Sequence, residues 1–149
     1  MIQRIQTLWL FISSLLSATL LIDWYTGYVY KGDIPKGITT IVQYLRISDH
    51  LPSLLIASAM IILPLVAIFY FKNRSRQKSL TLLSILLVVG FIAVSIMHIE
   101  NFKNSAPAPL HGSYQPGIVV AVGVLVLLVF AFNGIRKDDQ LVKSMDRLR

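Results

Sequence analysis

The side chains in this sequence that are best suited to bind a metal or a cofactor lie where its apolar runs end. They are two acids and three histidines: Asp49, His50, His98, Glu100 and His111. Carboxylates and imidazoles bind divalent metals, and an imidazole can also ligate haem or hydrogen-bond to a quinone ring. All three histidines are therefore candidates for cofactor binding. The metal candidates are the two acids together with His50 and His98.

The spacing of these residues argues for a plainer role. No two of the histidines share a ligand spacing such as HxxxH. Wetted residues at the ends of membrane helices have the same composition, and Asp49 stands where it could cap a helix ahead of Pro52. We therefore predict neither a bound cofactor nor a metal, and keep the ligand site as an alternative.

Catalytic motifs are absent from the sequence. It contains no P-loop, nucleophile elbow or paired carboxylates, and the lack of cysteine excludes thiolate sites and disulfides. The interiors of the apolar runs hold no charged residue, which argues against a proton pump, a charge-relay transporter or a voltage sensor. The protein is not expected to be an enzyme.

The elements that carry these residues are predicted to be membrane helices. Of 149 residues, 55% are hydrophobic and 14% are charged, whereas a soluble domain has about 25% charged residues. A bilayer core requires roughly 20 apolar residues per helix. Four runs meet this requirement, at residues 5–22, 52–71, 79–99 and 117–135. The chain is therefore predicted to be a single all-α, polytopic membrane domain over residues 1–149, with four transmembrane helices.

The charges predict the orientation of these helices. Ten of the fourteen basic residues lie on the side of the two termini, where three acids leave a net charge of +7, and the other side sums to zero. The positive-inside rule then places both termini in the cytoplasm. The overall charge of +7 is thus an orientation signal, and we do not expect a nucleic-acid partner.

The connecting segments are too short to be domains. The outer loop 23–51 begins with aromatic residues, which suit either an interfacial belt or a binding surface. Residues 24–30 could form a short extended piece and residues 38–47 a short helix on the membrane; the second outer loop, 100–116, is predicted to be extended or rich in turns. Residues 72–78 form a basic turn suited to anionic lipid.

The tail at 136–149 has a sequence pattern beyond the basic charge that the positive-inside rule requires. Apolar residues recur there at helical spacing among charges of both signs. This pattern predicts a short amphipathic helix, either continuous with the fourth span or separated from it by a break. It would lie on the membrane surface or dock onto a partner.

Small residues within the spans predict close helix packing, which drives association in lipid. The pairs chosen for this role are Gly90 with Ala93 and Gly117 with Ala121. The contacts could lie within the bundle or with another subunit.

The two ends of the chain resemble a known family. The opening MIQRIQTLWL and the closing IRKDDQLVKSMDRLR, with four spans between them, are similar to the Bacteroidota integral-membrane family known as domain of unknown function 4293. The resemblance covers the whole chain and implies a multi-pass protein of the bacterial inner membrane. It implies no reaction, cofactor or catalytic residue.

The leading functional hypothesis is an accessory or scaffold subunit of a larger inner-membrane assembly. Its partners would be the lipid bilayer and either another membrane protein or further copies of itself. The predicted contacts are basic residues of the cytoplasmic face: Arg4, Lys72, Arg74, Arg76, Arg136, Lys137, Lys143, Arg147 and Arg149. A metal, haem or quinone protein is the alternative. A transporter of small neutral solutes comes third, and requires a mid-bilayer cavity that only Ser and Thr could line.

Overall fold

The computed structural model describes residues 2–22, 27–36, 39–71, 73–105 and 111–147. These residues form four helices and a three-stranded antiparallel sheet. The elements in chain order are α1 (Ile2–Thr19), β1 (Tyr28–Lys36), β2 (Thr39–Arg46), α2 (Leu51–Phe69), α3 (Arg74–Asn104), β3 (His111–Tyr114) and α4 (Pro116–Arg147).

The helices pack as a ring in which α1 and α3 each contact both α2 and α4. The three strands lie together where α1 and α3 end and α2 and α4 begin, because β1 pairs with both β2 and β3. We call this the sheet end of the bundle. The opposite end, which holds the start of α1, the α2–α3 connection and the end of α4, is the termini end.

Three helices are long and apolar enough to cross a membrane, over Leu51–Phe69, Arg74–Asn104 and Pro116–Val142. The apolar part of α1, Ile5–Thr19, is shorter. The chain after Thr19 continues in i to i+3 hydrogen bonds from Leu20, Leu21 and Ile22, so a tighter turn takes the last residues of the predicted first run. These apolar helices are compatible with the membrane class that composition predicted.

Small and polar side chains lie at the contacts between helices. The Ser14 hydroxyl donates to the carbonyl of Ile61 at 2.9 Å, joining α1 to α2. Gly117 and Ala121 are buried in the inner stripe of α4. On α3, by contrast, a Cβ added at Gly90 would meet no atom within 4 Å, and Ala93 is exposed.

The sheet corrects the all-α prediction. Residues 38–47 were expected to form a short helix, but β2 pairs antiparallel with β1 instead, and β3 pairs with the other side of β1. The run Thr39-Thr40-Ile41-Val42 is β-branched throughout, which favours a pleated strand over a helix. The extended piece predicted at 24–30 is confirmed over residues 28–30, where β1 begins, and residues 24–26 lie outside the described chain. In the second outer loop, β3 is extended as predicted, but residues 100–104 continue α3.

Two glycines allow the sheet to close on a buried ring. A Cβ at Gly112 would overlap the Tyr30 phenol and lie 2.5 Å from the Lys31 carbonyl oxygen. A Cβ at Gly32 would lie 2.7 Å from Cε1 of Phe102. Both positions therefore need the smallest residue, because the buried Tyr30 or the half-buried Phe102 occupies the adjacent volume.

The basic turn predicted at 72–78 is shorter than expected. Helix α3 begins at Arg74, and the Oδ1 of Asn73 caps it by accepting from the Arg76 backbone N–H at 3.3 Å. The turn was predicted because a basic segment separates two apolar runs. Of the two forms predicted for the tail, the structure shows the continuous one, because α4 runs without a break to Arg147.

Candidate functional site

The sheet end brings two of the candidate histidines into contact. His50 precedes α2, His98 lies near the end of α3, and their rings stack with centroids 4.0 Å apart and planes 24° from parallel. The Nδ1 of His50 is also 2.8 Å from the hydroxyl of the buried Ser53. The pair therefore links the start of one helix to the end of its neighbour.

Among the described side chains of the remaining candidates, Asp49 is the one that interacts with this pair. Asp49 is exposed but close enough to His98 for a charge interaction. Asp49 was predicted to cap α2, but His50 occupies the N-cap position. Glu100 is exposed, and the side chain of His111 is outside the described part of the structure.

The geometry of the pair gives little support to a ligand site. Among the residues described here, no three His, Cys, Asp or Glu side chains form a group able to hold a metal ion. A centroid distance of 4.0 Å is ring contact, so a planar quinone cannot enter between the imidazoles. What the arrangement does is join α2 to α3 at the sheet end.

Substituting Ala for His98 is expected to destabilise the bundle by about 1 kcal/mol, because the stacked pair is lost. His98→Phe should retain most of the stability, since it keeps a flat ring beside His50. Reversible unfolding in mixed detergent micelles measures both changes. Met97→Ala, at an exposed position next to His98, is the matched control and should have a smaller effect.

The ligand hypothesis predicts a different result for the same variants. If the imidazoles hold a metal or haem, His98→Phe should lose it as completely as His98→Ala does. Metal analysis and optical spectra of the purified chain therefore separate a structural pair from a binding site.

The termini end holds the other polar cluster. The Nη1 of Arg74 donates to Oδ2 of Asp138 at 2.8 Å, which ties the start of α3 to α4. The two side chains are only 16% and 10% exposed. Asp138 was expected only as one of the charges of the tail, so this pair was not predicted. Its position three residues beyond Ile135 does place it on the inner face of a continued helix.

Two buried amides lie close to this ion pair, one on α1 and one on α3. Gln6 of α1 lies beside Gly134 of α4, one turn before Asp138, and Gln77 of α3 is one turn after Arg74. Both side chains are buried, and neither Nε2 of Gln6 nor Oε1 of Gln77 has a hydrogen-bond partner among the described atoms. Neither residue was predicted, because uncharged Gln6 lies within the first apolar run and Gln77 lies within the basic turn.

The structure places the predicted basic contacts in different settings. Arg76, Arg136 and Lys137 are exposed at the termini end, whereas Arg74 is bound to Asp138. Lys72 and Arg149 lie outside the described residues. The same holds for three side chains on described backbone, those of Arg4, Lys143 and Arg147.

Four of the buried hydroxyls described in the bundle bond within their own helix, whereas the Oγ of Ser95 on α3 is buried with no partner among the described atoms. Ser13, Ser17, Thr81 and Ser84 are buried, and each hydroxyl donates to a carbonyl of its own helix, three or four residues earlier. Their hydrogen-bonding capacity is therefore used locally. These are the residue types that a neutral-solute cavity would have needed.

Comparison with known proteins identifies a family and no activity. No curated protein matches the chain. The family described as Domain of unknown function (DUF4293) matches it over residues 2–148, nearly its whole length. This agrees with the resemblance carried by the two ends of the sequence. The chain, a bundle of apolar helices capped by a small sheet, therefore belongs to the family of domain of unknown function 4293.

Proposed function

We propose that this protein is an accessory subunit of a larger inner-membrane assembly. In this proposal all four helices lie in the bilayer, the termini end faces the cytoplasm, and the last turns of α4 bind a partner protein. The observation that carries the proposal is the length of α4. This helix continues unbroken to Arg147, beyond the helices that cover its inner face.

The ion pair shows how α4 is aligned with α3, and so how far α4 extends beyond the apolar run of α3. Arg74 and Asp138 lie at one level, and the apolar run of α3 begins five residues after Arg74, at Ser79. Since α3 and α4 run in opposite directions, the matching level on α4 is about residue 133. From there to Val142 the helix rises about 13 Å. The last turns of α4 therefore lie beyond the apolar layer.

The inner face of α4 is apolar over this distance except at Asp138, whose carboxylate is paired with Arg74. Ala131, Ile135 and Asp138 follow one another on this face at spacings of four and three residues, and all are buried. The next position, four residues on, is Val142, which is 44% exposed, and its neighbour Leu141 is 54% exposed. This 4-3-4 spacing is the seam of helix-to-helix packing, so the face is suited to a partner helix or groove.

A position flat on the membrane surface fits this segment less well. Such a helix must bend away from the span that precedes it, and bends need a proline, a glycine or an inserted group. No proline or glycine occurs after Gly134, and α4 is helical throughout. The segment therefore keeps the direction of its span.

Val142→Asp is the variant that tests the proposal. The chain is purified in mild detergent from the membranes in which it naturally occurs, and the mass of the particle is measured by light scattering. We expect a particle of fixed stoichiometry for the native chain. The variant should reduce the fraction of assembled chain at least about tenfold, because a buried unpaired charge costs more than 1.4 kcal/mol.

Ser144→Asp is the matched control, since it adds the same charge two residues away at an exposed position on another face. It should leave the assembly intact. Both variants should unfold like the native chain, because exposed substitutions rarely change stability by more than about 0.5 kcal/mol. A monodisperse monomer from native membranes, or equal loss in both variants, would contradict the proposal.

A further inference from the structure

A groove runs along the outside of the bundle between α1 and α4, near the termini end. It has a volume of about 420 Å³, within the usual size of small-molecule sites. Its lining residues are Trp9, Phe130, Asn133, Gly134 and Lys137. Trp9 and Phe130 are in ring contact, with centroids 5.7 Å apart, and form its apolar part.

A second recess of about 360 Å³ continues the groove towards the end of α4. It shares Asn133 and Lys137 with the first and adds Arg136 and Gln140. Between Phe130 and Lys137 the lining changes from aromatic to cationic over about 10 Å of helix. A phospholipid makes the same change from acyl chain to head group over a similar depth.

Among the described residues, the charges that line the groove are of one sign. Lys137 and Arg136 line it, and no described acid lines either recess. The nearest buried acid, Asp138, has its Oδ2 on Arg74 of α3. A phosphate there would meet two cations together with the amides of Asn133 and Gln140, all of which suit its oxygens.

Gly134 lets α1 and α4 approach closely at the groove. A Cβ there would lie 2.8 Å from Cγ of the buried Gln6, whose side chain occupies that space. The site is therefore an indentation between two helices, apolar at Trp9 and Phe130 and cationic at Lys137, which distinguishes it from a scatter of surface lysines.

We propose that this groove binds one anionic phospholipid, with an acyl chain against Trp9 and Phe130 and the phosphate between Lys137 and Arg136. Free phosphate would use only the polar half of the site. The occupant is a lipid because the aromatic half lies at the level of the apolar layer, where acyl chains are abundant.

Quenching of Trp9 by brominated lipids tests this proposal in the full-length chain. The sequence has two tryptophans, so Trp24→Phe leaves Trp9 as the only indole. The chain is placed in bilayer discs in which brominated phosphatidylglycerol or brominated phosphatidylcholine replaces a fixed share of the lipid. We expect the anionic lipid to quench Trp9 more strongly, and its relative affinity to fall about fivefold in each of Lys137→Gln and Arg136→Gln.

Arg76→Gln is the matched control, because it removes an exposed charge of the same end from α3, outside the groove. Its quenching should equal that of the unchanged chain. Equal quenching by both lipids, or an equal loss in Arg76→Gln, would overturn the proposal, since the charge of the whole end would then explain the result. Competition by millimolar inorganic phosphate would likewise overturn it in favour of a free-anion site. The Val142→Asp variant should still bind the lipid, so failure of the accessory-subunit proposal is distinguishable from failure of this one.

Discussion

Replacing Asp138 with Ala is expected to destabilise the folded chain by about 3 kcal/mol. The Arg74 side chain is only 16% exposed, and the substitution removes the carboxylate that pairs with it. An uncompensated charge in such a setting is costly. Arg74→Ala should have a similar effect, because Asp138 would then be the buried unpaired group. The measurement is the free energy of unfolding in mixed detergent micelles.

The double variant tests whether these losses arise from the pair. Arg74→Ala with Asp138→Ala should cost clearly less than the two single losses combined, since removing both charges leaves none unpaired. Arg76→Ala, an exposed cation two residues from Arg74, should change stability by no more than about 0.5 kcal/mol. Additive single losses would mean that the contact does not hold α3 to α4.

The same pair shows where sequence reasoning reached its limit. The apolar runs could be recognised because lipid requires about 20 consecutive apolar residues whatever the partner helix is. Arg74 and Asp138 are 64 residues apart, and only the folded bundle brings them together. A pattern read along one helix cannot reveal a partner on another, so the tail was predicted as a surface segment although its first turn is part of the core.

The sheet was missed for a different reason. The residues of β2 carry alternating and β-branched character, but a hairpin of this length is marginal without a third strand. The third strand, His111–Tyr114, is only four residues long and lies beyond α2 and α3 in the chain. Its pairing with β1 depends on Gly112, whose significance becomes visible only beside Tyr30.

The arrangement of the candidate histidines could be predicted only in part. Their location at the sheet end could be inferred from the lengths of the spans, and the structure places His50 and His98 there together. Their stacking could not be inferred, since it depends on the rotation of α2 relative to α3. The groove between α1 and α4 was beyond prediction for the same reason, although Lys137 and Arg136 were chosen from the sequence as contact residues.

Tyr30 connects the sheet to the bundle. It is 2% exposed, lies opposite Tyr114 in the β1–β3 register and meets that ring edge-on at 5.7 Å. Phe102, near the end of α3, packs against it at 6.3 Å, and the Lys103 ammonium lies 5.0 Å from its ring centroid. One ring thus contacts side chains of β3 and α3.

Tyr30→Ala is therefore expected to destabilise the fold by about 3 to 5 kcal/mol, because it leaves a cavity where these elements meet. Tyr30→Phe should cost only about 1 kcal/mol, since the aromatic contacts remain. Unfolding free energy gives the magnitude, and hydrogen exchange of β1 and β3 locates it. In the alanine variant both strands should exchange faster, whereas the helices retain their protection.

Tyr44→Ala is the matched control for this prediction, because it removes the same side chain from β2 at a position that is 44% exposed. Its cost should be below about 1 kcal/mol, with β3 exchange unchanged. Equal losses in the two alanine variants would show that the Tyr30 ring does not anchor the sheet. If the helices of Tyr30→Ala also lost their protection from hydrogen exchange, the sheet and the bundle would unfold as one unit. The ring contacts with Phe102 and Lys103 would then belong to the core of the whole protein.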